Sequence, residues 1–233
     1  MVEAKRMGVL LPSSNTTMEP ELYRMAPVGV TIHVARMMLR RVTAEDLERM
    51  AEDAAEASLM LGTAGVHVLV YGCTSGSLIK GREWEAELVA GLSRAIGIPV
   101  ISTGGAVVEA LKALNIGRVG LATPYVDEIN RLEKTFLEEH GIDVTATRGL
   151  GITDNRRISV VDSDSIRELA RDVSDDADGV FISCTNLPAV ELIEDLEIEL
   201  RLPVVTSNQA SLWSALRKLG MKGKKRYGRL MRL

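Results

Sequence analysis

Short apolar runs alternate with amphipathic segments along the whole chain. Runs rich in Val, Ile and Leu near residues 7–11, 30–35, 66–71 and 98–102 predict four strands. Runs near 118–123, 143–148, 179–183 and 203–206 predict four more. They lack clean alternation, as expected for strands covered on both faces. Helical periods fill the gaps. One opens at a capping box, Thr43-Ala44-Glu45-Asp46, carries Leu47, Met50, Ala54, Ala57 and Leu61, and stops at Gly62. Others run from Tyr125 to His140 and from Ser163 to Val173. Two more follow the caps Ser102-Thr103 and Ser207-Asn208. Strands alternating with helices predict an α/β fold with parallel sheets.

The pattern repeats. Val68-Leu69-Val70-Tyr71-Gly72-Cys73-Thr74-Ser75 matches Gly179-Val180-Phe181-Ile182-Ser183-Cys184-Thr185-Asn186. Upstream, Gly8-Val9-Leu10-Leu11-Pro12 matches Gly120-Leu121-Ala122-Thr123-Pro124, with Pro12 preceding Cys73 by 61 residues and Pro124 preceding Cys184 by 60. Downstream, Ile98-Pro99-Val100-Ile101 matches Leu202-Pro203-Val204-Val205. We read two pseudo-symmetric α/β/α halves, 1–117 carrying Cys73 and 118–233 carrying Cys184, with the last helix free to pack on the first half. In open α/β sheets ligands bind beyond the carboxyl ends of strands. Pro12–Asn15, Cys73–Ser75, Pro124–Tyr125 and Cys184–Asn186 all occupy such ends, so the active site is expected in the cleft between the halves.

The 233 residues are 46% hydrophobic and 26% charged, enough to bury a core. A net charge of −4 argues against a general nucleic-acid binder. The basic tail, Lys222 to Arg232, holds a single aromatic, Tyr227, and reads as a solvated or subunit-facing segment. No apolar stretch approaches the roughly 20 residues that span a bilayer, and no signal-peptide core opens the chain. A cytoplasmic protein with reduced thiols is the expectation, with a Cys73–Cys184 disulfide as the alternative. Two thiols without CxxC spacing and three scattered histidines make no zinc set, and no phosphate loop is present.

Cys73 and Cys184 are the only cysteines. A thiol just before a helix can be made reactive, because free N–H groups and the positive helix end favour thiolate. Asn186 and Pro188 suit a helix start after Cys184, so at least one thiol of low pKa is expected. Either cysteine alone reads equally as a small buried hydrophobe. Their duplicated positions, each followed by Thr, favour proton transfer or addition chemistry at a carbon. Asn15, Tyr125 and Asn155 are candidate donors whose spacing alone fits a cap, a helix start and a turn just as well.

Several segments together carry a resemblance. They are Gly8-Val9-Leu10-Leu11-Pro12-Ser13-Ser14-Asn15-Thr16-Thr17, Tyr71-Gly72-Cys73-Thr74-Ser75, Leu121-Ala122-Thr123-Pro124-Tyr125, Gly151-Ile152-Thr153-Asp154-Asn155 and Ser183-Cys184-Thr185-Asn186. The chain resembles the Asp/Glu racemase superfamily, in its maleate cis–trans isomerase and arylmalonate decarboxylase branch. Decarboxylases of that branch carry glycine at the first cysteine position, where this chain has Cys73. Glutamate racemases carry an aspartate in the first loop, where this chain has Pro12-Ser13-Ser14-Asn15 and no carboxylate. Maleate isomerases carry both cysteines, which is the better match.

The resemblance implies a cofactor-independent isomerase acting on maleate or a related cis-diacid. Cys73 would be the nucleophile and Cys184 the proton donor and acceptor. Pro12, Asn15, Thr74, Ser75, Tyr125, Asn155 and Thr185 would hold the diacid. It also implies a homodimer or higher homo-oligomer. A two-thiol racemase of a small acid, amino acid or hydantoin is the alternative, followed by an arylmalonate-type decarboxylase or a non-catalytic dicarboxylate binder.

Overall fold

A computed structural model describes residues 4–233. The first half runs β1 (Lys5–Pro12), α1 (Met18–Met25), β2 (Val30–Met37), α2 (Ala44–Glu52), α3 (Ala54–Thr63), β3 (Val68–Tyr71), α4 (Thr74–Leu78), α5 (Gly81–Ile96), β4 (Val100–Ser102) and α6 (Thr103–Ala113). The second runs β5 (Arg118–Thr123), α7 (Asp127–Glu139), β6 (Asp143–Gly149), α8 (Asn155–Ile158), α9 (Ser163–Asp172), β7 (Gly179–Ile182), α10 (Ile193–Leu200), β8 (Val204–Thr206) and α11 (Ser207–Lys218). Short 3-10 turns precede α10 and close the chain.

Each half forms one parallel sheet, ordered β2-β1-β3-β4 and β6-β5-β7-β8. The two orders are the same, as the sequence repeat requires. The central strands β3 and β7 are buried throughout, which is why their runs are continuously apolar. A register shift between Val119 and Gly120 lets the end of α9 close onto β5. A Cβ at position 120 would lie 1.9 Å from the Val173 carbonyl oxygen, so only glycine fits this approach.

The halves meet along α6 and α11, each of which starts directly from the last strand of its sheet. Ser211 Oγ donates to Thr103 Oγ1 at 3.1 Å and Ser214 Oγ to Glu109 Oε2 at 2.6 Å across this contact. The C-terminal stretch then returns to the first half. Gln209 Nε2 holds the Tyr227 carbonyl at 2.6 Å, and Lys224 Nζ donates to the Arg24 carbonyl on α1 at 2.7 Å. Tyr227, Leu230 and Met231 are buried, while the lysines stay exposed. No helix among the described residues is long and apolar enough to cross a membrane.

Several boundaries differ from the sequence pattern. The helix expected over 44–61 is two, broken at Asp53, whose carboxylate accepts from the Met38 N–H at 2.9 Å. Thr43 caps the first of them through the Asp46 N–H. The helix expected from Tyr125 starts at Asp127, because Val126 is extended and the acidic pair Asp127 and Glu128 suits the first turn. The α11 cap is Thr206, one residue early, in a full capping box with Gln209. Helix α5 has one fully buried residue, Leu92, so its apolar stripe is too weak to read.

Candidate active site

Both cysteines lie two residues beyond a central strand. The Gly72 N–H donates to the Leu10 carbonyl and the Ser183 N–H to the Ala122 carbonyl, each at 2.8 Å. These equivalent bonds carry each sheet one residue further and aim both thiols at the junction of the halves. A Cβ at Gly72 would meet the Leu10 oxygen at 2.8 Å, so the first loop needs glycine there. Cys73 then caps α4, and its Sγ accepts from the Gly76 N–H at 3.3 Å. Ser75 Oγ lies 3.8 Å from the same sulfur.

The second loop departs from the first. No helix follows Cys184 directly; turns lead through Pro188 to the 3-10 turn at Val190–Leu192. The expected helix start is therefore absent. Cys184 has φ +98°, a conformation that costs a non-glycine residue of order 1–3 kcal/mol. Three contacts hold it: its N–H donates to Ser207 Oγ at 3.0 Å, its carbonyl accepts from the Leu187 N–H at 3.2 Å, and its Sγ accepts from the Asn186 N–H at 3.3 Å. Both cysteines are free thiols, which removes the disulfide alternative.

A lattice of uncharged groups joins the loops. Asn15 Nδ2 donates to Thr185 Oγ1 at 3.0 Å, and Thr185 Oγ1 to the Gly72 carbonyl at 3.3 Å. Thr74 Oγ1 donates to Ser207 Oγ at 2.8 Å. Asn155 Nδ2 donates to Ser14 Oγ at 2.9 Å, and Asn186 Nδ2 to the Asn155 carbonyl at 2.6 Å. Tyr125 is buried and hydrogen-bonds through its hydroxyl to the Cys184 sulfur. The Pro12 carbonyl ends β1 and accepts from the Asn15 N–H at 2.9 Å. All nine candidate residues thus fall within one connected cluster. Tyr125 stands before α7 rather than on it, and Asn155 opens the one-turn helix α8 rather than a loop. The loops after β2 and β6 also pair: the Val42 N–H donates to the Thr153 carbonyl at 2.8 Å and the Asn155 N–H to the Arg40 carbonyl at 3.3 Å. This clasp ties the two halves together on the Asn155 side.

The profile of the arylmalonate decarboxylase family matches residues 7–231. The chain belongs to that family. Its relatives there divide between two activities. The arylmalonate decarboxylase of Bordetella bronchiseptica is 32% identical over 229 residues, covering 96% of this chain and 95% of that one. The maleate isomerase of Geobacillus stearothermophilus is 30% identical over 238 residues, covering 95% and 94%. Among solved structures, a cysteine-to-serine variant of the Nocardia farcinica maleate cis-trans isomerase, with a covalently bound succinylcysteine intermediate, superposes with a TM-score of 0.94. It is 27% identical, and 98% of each chain is covered.

The electrostatics of this family member correct one expectation. Neither thiol has a low pKa. Burial pushes Cys73 up to about 11, against the pull of the Gly76 N–H and Ser75. Burial pushes Cys184 up to about 12, against hydrogen bonds from Tyr125 and Asn186, with Cys73 and Glu133 adding repulsion. Exposures of 4% and 6% make desolvation larger than anything a five-residue helix supplies.

Three residues of the cluster were not visible as such in the sequence. Asn186 appeared as a strand-end loop residue and helix-start signal and Ser207 as a helix start, yet Asn186 ties the Thr16 N–H to Asn155, and Ser207 ties both cysteine loops to α11. Glu133, 1% exposed on α7, accepts from Ser183 Oγ at 2.6 Å, and its other oxygen has no partner. Burial pushes its pKa from 4.5 up to about 8, against the Ser183 hydrogen bond. The folded state therefore keeps a proton that the unfolded chain loses above its ordinary carboxylate pKa. Stability from this site is full below about pH 4.5 and is lost as pH rises through about 8. In Glu133→Gln the side chain stays neutral and can still accept from Ser183. Thermal melts should show the variant gaining on the native chain from about pH 5 to about pH 9. A difference that does not change with pH would refute the assignment.

Proposed function

We propose that this chain is a cofactor-independent cis–trans isomerase that converts maleate, or a related cis-diacid, to fumarate through a cysteine adduct. One observation carries the reading. Two buried thiols, one from each half, are joined through Thr74, Ser207 and the Cys184 N–H within a lattice of uncharged donors. The succinylcysteine in the Nocardia relative is the adduct expected when a thiol adds to such a diacid. The presence of Cys73, where the resemblance gives decarboxylases glycine, favours isomerisation over decarboxylation.

The raised thiol pKa values shape the chemistry. A free thiolate is costly here, so the addition is net neutral. The Cys73 sulfur bonds to one alkene carbon, and the π pair moves toward the neighbouring carbon and its carboxylate. The Cys184 thiol gives its proton to that carbon, and the Cys73 proton replaces it on the Cys184 sulfur. Charge in the pocket is the same before and after. The C–C bond is now single and rotates. The steps then run in reverse: the Cys184 sulfur retakes a proton from carbon as the one it holds returns to the departing Cys73 sulfur, the double bond reforms, and the C–S bond breaks.

During addition, negative charge grows on the carboxylate next to the accepting carbon. The Thr74 and Ser75 N–H groups at the start of α4 have no carbonyl within that helix to bind. With Asn15, Tyr125, Asn155 and Thr185 they can meet this charge. Uncharged donors suit the task, since a guanidinium here would also steady the free dianion. Proton NMR of maleate with the purified chain tests the proposal directly. Fumarate should appear with no added cofactor. Inert maleate, with solvent deuterium entering the α-carbon of a chiral acid, would replace isomerisation by racemisation. Release of carbon dioxide from an arylmalonate alone would replace it by decarboxylation.

A further inference from the structure

The catalytic cluster is uncharged, but its approach is not. A cavity of about 960 Å³ opens where the loops after β2 and β6 meet. Arg40, Arg41, Arg49 and Arg156 line it, against Asp46 and Asp154, so the wall carries +2 in a chain of −4. Three of the arginines have carboxylate partners: Arg41 with Asp46 at 3.1 Å, Arg49 with Glu45 at 2.9 Å and Arg156 with Asp154 at 3.8 Å. Arg40 is exposed and has no carboxylate partner among the described residues. Ser14 also lines the cavity, and Asn155 Nδ2 donates to its hydroxyl. The cavity wall is thus one hydrogen bond from the catalytic cluster.

We propose that this cavity is an entry port that docks a small organic dianion, with Arg40 as its carboxylate-binding residue. The inference rests on the dicarboxylate reading above. Placing the positive charge at the mouth speeds capture of a dianion. Placing it away from the thiols keeps it from steadying the substrate at the reacting carbons. The clasp divides the two tasks, since Arg40 and Thr153 supply its carbonyls while their side chains lie on the port side.

Steady-state kinetics on the full chain with maleate, at several ionic strengths, test this. Arg40→Ala should raise KM about fivefold at low salt, leave kcat within about twofold and flatten the fall of kcat/KM with salt. Arg94→Ala, the same charge change on the exposed side of α5, should do none of this. Equal behaviour of the two variants would overturn the port. If the native chain leaves maleate unchanged, the isomerase proposal fails separately, and calorimetry of maleate binding decides the port. Binding about fivefold weaker in Arg40→Ala sustains it. Equal binding, or none to the native chain, ends it.

Discussion

Cys73→Ser should lose at least about 10³-fold in maleate turnover while melting within a few degrees of the native chain. The hydroxyl is close in size to the thiol and can keep the acceptor role toward the Gly76 N–H, now 3.3 Å from the sulfur. The α4 cap therefore survives. What changes is the atom that attacks carbon. A serine oxygen holds its proton far more tightly than sulfur, and the pocket already opposes ionisation of Cys73 through burial. No neighbouring base compensates: the one carboxyl nearby, Glu133, is held neutral by burial with its pKa pushed up to about 8, and the other groups around the loop are hydroxyls and amides. The measurement is initial-rate fumarate formation together with a thermal melt. Turnover within tenfold of native, on a folded chain, would remove Cys73 from the role of nucleophile.

Cys184→Ser should behave differently. Its turnover should fall about 10²–10⁴-fold, the usual worth of a positioned acid and base. The chain should also gain the mass of one maleic acid. A hydroxyl at position 184 can still pass a proton to the carbon next to the new C–S bond. It is then a poor base for taking a proton back, so elimination stalls and the adduct accumulates. The Nocardia relative with a covalently bound succinylcysteine is likewise a cysteine-to-serine variant. Intact-mass spectrometry with peptide mapping should find the added diacid on the peptide that holds Cys73. Full activity, or an adduct in the native chain and none in the variant, would reverse the assigned roles.

The scaffold was legible because burial on two faces leaves a direct trace in residue type. Continuous runs such as Val68–Tyr71 and Gly179–Ile182 have one plausible fate, and their repetition exposes the two sheets. The cysteines were legible for the same reason, at the ends of those runs. Glu133 was not. In Leu132-Glu133-Lys134 it has the look of a solvated helix face, and only the packing of α7 against the Cys184 loop turns it inward. Ser207 was assigned to a helix start because local pattern cannot show that its hydroxyl crosses to Thr74 on the other half. The thiol state failed on a similar ground. A helix start can be read from neighbours in sequence, whereas the loss of solvent around Cys73 and Cys184 depends on the whole chain closing over them.

That closure gives the chain an unusual temperament. At neutral pH burial keeps both sulfurs protonated, so scavenging electrophiles and peroxides that hunt for thiolates meet almost none. The attacking sulfur comes into being only during the encounter with a guest that can accept it.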